Sequence, residues 1–103
     1  MIEIKTVEEF ENIKNNGKIS VIKFGAEWCR PCGTMHSILE SLSKKLDNVV
    51  FAEVDVEEAT DLAEMFAIRN IPVTVIFKDG ELVDMGVGLQ SETDMEKKIN
   101  SFV

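Results

Sequence analysis

Residues 19–32 read ISVIKFGAEWCRPC. The first eight, ISVIKFGA, are too continuously apolar for a strand with one wet face, and they fit a central strand covered on both sides. Directly behind them stand the only tryptophan, Trp28, and the only two cysteines, Cys29 and Cys32, with Arg30 and Pro31 between the cysteines. Beyond Cys32 the apolar residues Met35, Leu39, Leu42 and Leu46 recur at helical spacing, so a helix is expected to run to about Asp47. The cysteine pair therefore falls where a central strand ends and a helix begins. Pro31 suits the first helical turn, where its missing N–H would have no partner.

Such a junction offers unpaired backbone N–H groups and the positive end of a helix dipole. Both favour an anion, and a thiolate is one, so Cys29 is expected to be reactive. Cys32 lies about one turn away, within reach of a disulfide. A lone CxxC admits three chemistries: a zinc clip, a structural staple and a redox-active dithiol. Zinc would recruit Cys29, Cys32 and the only histidine, His36, which leaves a tetrahedral site one ligand short. No metal is expected, and His36 reads as an ordinary helix residue. A purely structural disulfide would close so small a loop that its entropic benefit is small. The redox-active reading is the one that remains.

Outward from this stretch the chain alternates strand and helix. IEIK (2–5) is a short alternating strand, and Thr6 opens a helix with Glu9 completing a capping box and Val7, Phe10 and Ile13 as its apolar stripe. Asn15-Asn16-Gly17 stops that helix. VVFAEVDV (49–56) reads as a strand, and Thr60 as the cap of a helix carrying Leu62, Met65 and Phe66. Pro72 precedes the strand VTVIF (73–77), which turns at Asp79-Gly80 into ELVDMGV (81–87), a hairpin signal. Ser91 starts a last helix with Met95, Ile99 and Phe102 facing inward. The order β-α-β-α-β-α-β-β-α implies an α/β protein with a mixed central sheet between helices. At 103 residues, a single domain over 1–103 is expected.

Composition narrows the function. Hydrophobic residues make up 45% of the chain, enough for a core without staples. With 19 acidic against 11 basic residues the net charge is −8, which argues against nucleic acid or an anionic membrane as partner. The start, MIEIKTVEEF, has no basic segment leading into an apolar run, and no apolar stretch is long enough to span a bilayer. A cytoplasmic location is expected. There a CxxC is more often catalytic or metal-binding than structural.

The chain resembles the thioredoxin family over essentially its whole length. The resemblance is carried by FGAEWCRPC (24–32), the region of Asp55, IRNIPVTVIFKDGE (68–81) and VGLQS (87–91). It implies the thioredoxin fold, with a mixed five-stranded central sheet flanked by four helices, and dithiol–disulfide exchange as the activity. Cys29 would attack a substrate disulfide, and Cys32 would resolve the mixed disulfide. Pro72 would be a cis-proline beside the cysteines, exposing the backbone of Ile71 to a substrate strand. Trp28, Pro31, Ile71, Pro72, Val87, Gly88 and Leu89 would line the groove. The resemblance further implies a monomeric protein disulfide reductase that binds no cofactor and serves as a general electron donor. Its electrons would come from NADPH through a flavoprotein reductase of the thioredoxin reductase type. Two alternatives stay open: an oxidase or isomerase with a more oxidising disulfide, and a binding module independent of thiol chemistry.

Three departures from the family pattern bear on mechanism. Arg30-Pro31 replaces the usual Gly-Pro between the cysteines, and a cation beside Cys29 favours the thiolate and a more oxidising disulfide. An exposed guanidinium is screened and does this weakly. Six residues before Cys29, where the family carries a buried aspartate, stands Lys23. Where the family carries a lysine near that aspartate, nineteen residues before Pro72, stands Glu53. A lone buried charge is costly and a partner recovers much of the cost. Lys23 and Glu53 are therefore expected to form a reversed ion pair beneath Cys32, with Glu53 or Lys23 as the proton acceptor.

Overall fold

The computed structural model describes residues 1–103. Five strands, β1 (Ile2–Ile4), β2 (Ile19–Gly25), β3 (Val49–Asp55), β4 (Val73–Lys78) and β5 (Glu81–Val87), form one sheet in the order β1-β3-β2-β4-β5. The β1, β3 and β2 strands run parallel, while β4 pairs antiparallel with β2 and β5 antiparallel with β4. Four helices, α1 (Val7–Lys14), α2 (Arg30–Lys45), α3 (Thr60–Met65) and α4 (Glu92–Asn100), complete the mixed α/β architecture.

Every residue of β2 is buried, as its unbroken apolar run requires of a strand between two layers. On one face Phe10 of α1 and Leu62 of α3 pack with Ile22, Phe24, Ala52, Val54, Val75 and Phe77. The Phe66 ring joins this layer, 5.2 Å from that of Phe10 and 5.5 Å from that of Phe24. On the other face Met35, Leu39 and Leu42 of α2 and Met95 and Ile99 of α4 pack with Val21, Phe51 and Ile76. Deleting a side chain from either layer would leave a cavity. The α2 stripe in particular fixes the helix whose first turn carries the cysteines.

Local signals decide where most elements begin. Thr6 accepts from the Glu9 N–H at 3.1 Å, and the Glu9 carboxylate accepts from the N–H groups of Lys5 and Thr6 at 2.8 and 3.0 Å. The Lys5 N–H, and to a lesser degree that of Thr6, holds the Glu9 carboxyl below the usual carboxylate range. Its contribution is complete above that range and is lost as pH falls through the lowered value. Thr6→Ala is expected to cost about 1 kcal/mol, measured as a shift of the urea midpoint with unchanged slope. Asp79 and Gly80 both take positive φ, 53° and 81°, as a two-residue hairpin needs. Ser91 caps α4 by accepting from the Asp94 N–H at 3.1 Å.

The third helix departs from expectation. Thr60 is its first residue and not its cap; the cap position falls to Ala59, with no side-chain hydrogen bond. The preceding turn is tied instead by Asp55, whose carboxylate accepts from the Glu57 N–H and whose carbonyl accepts from the Ala59 N–H. Met65 is 56% exposed, because the helix ends after one and a half turns and Phe66 takes the inward place. The second helix ends at Lys45, two residues short of the expected limit.

Candidate active site

Cys29 and Cys32 are joined in a disulfide at the N-terminus of α2. Cys29 is the N-cap, and its sulfur accepts from the Cys32 N–H at 3.2 Å. The sulfur at position 29 thus occupies the place where helix N–H groups and the dipole favour negative charge, and reduction would put a thiolate there. The two sulfurs are unequal: Cys29 is 7% exposed and Cys32 1%. Pro31 sits in the first turn, and Arg30 beside it is exposed.

Residues distant in sequence complete the surface around Cys29. The Ile71–Pro72 peptide is cis, Pro72 is buried, and the Ile71 carbonyl oxygen lies 4.0 Å from Cys29 Sγ. Gly88, at φ 91°, donates its N–H to the Pro72 carbonyl at 2.8 Å, which ties the segment after β5 to the proline. A positive φ there is what glycine permits. Trp28, Val87 and Leu89 stand exposed.

Beneath α2 lies the charged layer. Lys23 follows Ile19 and Val21 on the α2 side of β2, in direct register with Glu53 on β3 and Thr74 on β4. Lys23 Nζ is 3.3 Å from Glu53 Oε1 and donates to the Cys32 carbonyl at 3.2 Å. The lysine side chain is 6% exposed and the glutamate 24%, so the pair grades from buried to wet. The paired geometry is the one expected from the reversed charges. His36, read from sequence as an ordinary helix residue, joins it: its Nδ1 lies 3.2 Å from the same Glu53 Oε1. Thr74, unremarked in the sequence, is 1% exposed beside the lysine. A β-carbon built on Gly25 would sit 3.1 Å from Cys32 Sγ and 3.4 Å from Lys23 Cε. The absence of a side chain at 25 is therefore what lets lysine and sulfur share that space.

No group of three or more His, Cys, Asp or Glu is arranged to hold a metal ion, and no helix is long and apolar enough to cross a membrane. A helix-capping cysteine disulfide with Cys29 slightly open and Cys32 sealed, set against a cis-proline, defines a thiol–disulfide oxidoreductase. The comparisons with known proteins agree. The thioredoxin family model matches residues 1–101. A thioredoxin from the fungus Coprinus comatus is 42% identical over 87 residues, 82% of each chain. That of Chlamydia caviae is 33% identical over 100 residues, 97% of each. Among solved structures, the thioredoxin of Fasciola hepatica superposes with a TM-score of 0.92 at 31% identity, covering 100% of both chains. A mutant thioredoxin from Halobacterium salinarum gives 0.92 at 30% identity, covering 98% of this chain and 88% of that one. The chain belongs to the thioredoxin family.

Proposed function

We propose that this protein, acting as one domain over residues 1–103, is a protein disulfide reductase and a general electron donor of the cytoplasm. The observation that carries the reading is the inequality of the two cysteines at the α2 cap, Cys29 slightly open at 7% exposure and Cys32 sealed at 1%. In the reduced protein the Cys29 thiolate attacks a substrate disulfide, forming a mixed disulfide and releasing one substrate thiol. Cys32 then attacks Cys29 Sγ, releases the second thiol and leaves the Cys29–Cys32 disulfide. A flavoprotein reductase fed by NADPH returns the two electrons.

The substrate strand lies along Ile71, Pro72 and Gly88, with Trp28, Pro31, Val87 and Leu89 as apolar neighbours, and substrates are extended protein segments bearing a disulfide. Lys23 supports the Cys32 thiolate by its charge, while Glu53 balances the lysine and takes up protons. Arg30 adds a screened positive charge beside Cys29.

The test is the reduction potential of Cys29–Cys32, from equilibration in glutathione or dithiothreitol buffers, alkylation of free thiols and mass analysis. The expected value is about −270 mV, which is the reference value for thioredoxins as a class. A value of about −180 mV or higher would mean that the local positive charge dominates, and would replace reduction by oxidation or isomerisation as the working direction.

A further inference from the structure

With Cys29 as attacking thiol and Cys32 as resolving thiol, one proton remains to be moved. Cys32 is 1% exposed and must shed its proton before it can attack. On its side of the sheet lies a cleft of about 260 Å³ whose walls include Lys23, Gly25, Gly33, His36 and Glu53. One oxygen links the three ionisable groups: Glu53 Oε1 is 3.3 Å from Lys23 Nζ and 3.2 Å from His36 Nδ1. Side-chain exposure climbs along that line, from 6% at Lys23 through 24% at Glu53 to 38% at His36. The inner end is anchored, since Lys23 Nζ donates to the Cys32 carbonyl and the lysine stem shares with Cys32 Sγ the space above Gly25.

We propose that His36 is the outer station of a proton path that serves Cys32, running through Lys23 and Glu53 to the water of the cleft. The proposal rests on the resolving role of Cys32. The Cys32 S–H bond breaks as its proton passes to the lysine nitrogen, while the ammonium passes one to Glu53 Oε1 and the glutamate passes one to the bare Nδ1 of neutral His36 in its Nε2–H tautomer. The net change is a Cys32 thiolate and a His36 imidazolium, with Lys23 and Glu53 back in their starting charge states. The Cys32 electron pair then forms the bond to Cys29 Sγ, and the bond between Cys29 and the substrate sulfur breaks. The departing thiolate takes a proton from water, and His36 returns its proton to the cleft. His36 touches neither sulfur; it is a positioning and relay residue that acts through Glu53.

Other charges face the imidazole. Glu3 and Lys5 at the β1 end, Glu27 before α2, Asp55 on β3 and Glu58 after it line the same cleft. Glu40 lies one turn further along α2, paired with the Met1 amine at 2.7 Å. Because this surround is mainly acidic, the titration is read from the difference between wild type and variant.

The experiment is stopped-flow reaction of the reduced full-length protein with the aromatic disulfide dithiobis(nitrobenzoate). The first chromophore release reports attack by Cys29 and the second reports resolution by Cys32. In the wild type the second rate is expected to show a rising pH limb that requires His36. His36→Gln should erase that limb and slow the second release about 10-fold above it, less than a full general-base effect because cleft water remains an acceptor. The first release should be unchanged, which shows an intact fold. In His36→Ala, free imidazole should restore the second release alone. A second release with the wild-type pH profile in His36→Gln, or a slowed one that imidazole fails to rescue, overturns the path and leaves the dithiol reading standing. Absence of a second release from the wild type would overturn the resolving role of Cys32, and the path with it.

Discussion

Cys29→Ser is expected to bring disulfide reduction down to the background rate, a fall on the order of 10³-fold or more. Serine keeps the shape of the helix cap and still accepts from the Cys32 N–H, so the loss is of nucleophile and not of fold. The remaining thiol, Cys32, is sealed at 1% exposure and has no path to a protein disulfide. Cys32→Ser should fail differently. Its Cys29 still attacks once, and the protein then accumulates as a mixed disulfide, heavier by one substrate chain in the mass spectrum. Accumulation of the mixed disulfide by Cys29→Ser, with none formed by Cys32→Ser, would reverse the assignment of the two sulfurs.

The second large effect is on stability and is asymmetric across one ion pair. Glu53→Ala strands the Lys23 ammonium, 6% exposed, with the Cys32 carbonyl as its remaining close partner. Removing one member of such a pair costs about 3 kcal/mol, the low end for buried pairs because the glutamate side is partly wet. For a chain of this size that lowers Tm by about 10–20 °C. Lys23→Met should be near neutral, since it replaces a buried charge by apolar volume and leaves Glu53 facing the cleft and His36. The exchange Lys23→Asp/Glu53→Lys should be more stable than the sum of its single changes predicts. Urea denaturation of these five variants, the two single changes of the exchange included, decides the matter. Equal losses for Glu53→Ala and Lys23→Met, or an exchange that is merely additive, would mean that the charges are solvated separately.

Much of this arrangement can be read before any coordinate. The apolar run 19–26 could only be a covered strand, and a helix-period stripe beginning at Met35 places the cysteines at a helix start. Asp79-Gly80 names its own turn, and the opposite signs at 23 and 53 called for each other across neighbouring strands. His36 was not legible in the same way. It follows Met35, one step off the stripe that faces the core, and periodicity says only that it flanks the buried face. Whether it meets Glu53 depends on how α2 crosses β3, which is a property of the packed layers. Thr60 failed as a cap for a related reason. The N–H groups that a Thr60 cap would bind are already taken, that of Leu62 by the Asp61 carboxylate and that of Ala63 by the Ala59 carbonyl, so the helix begins one residue earlier than the side chain alone suggests. Met65 and Phe66 differ by one position on a short helix, and only the aromatic layer of Phe10, Phe24 and Phe77 decides which of them turns inward.

Gly25 sets a constraint on inheritance that differs in kind from the one on its neighbours. Charges at 23 and 53 can trade places, because each mutation has a partner elsewhere in the chain able to compensate for it. Bulk at 25 has no such partner: its β-carbon would press on Cys32 Cβ and Sγ, both at 3.1 Å, and the exchange reaction forbids Cys32 to change. In a lineage that keeps the exchange reaction, a larger residue at 25 meets the one side chain that cannot give way, whatever stands at 23. The tolerance of position 25 is thereby set by one missing carbon.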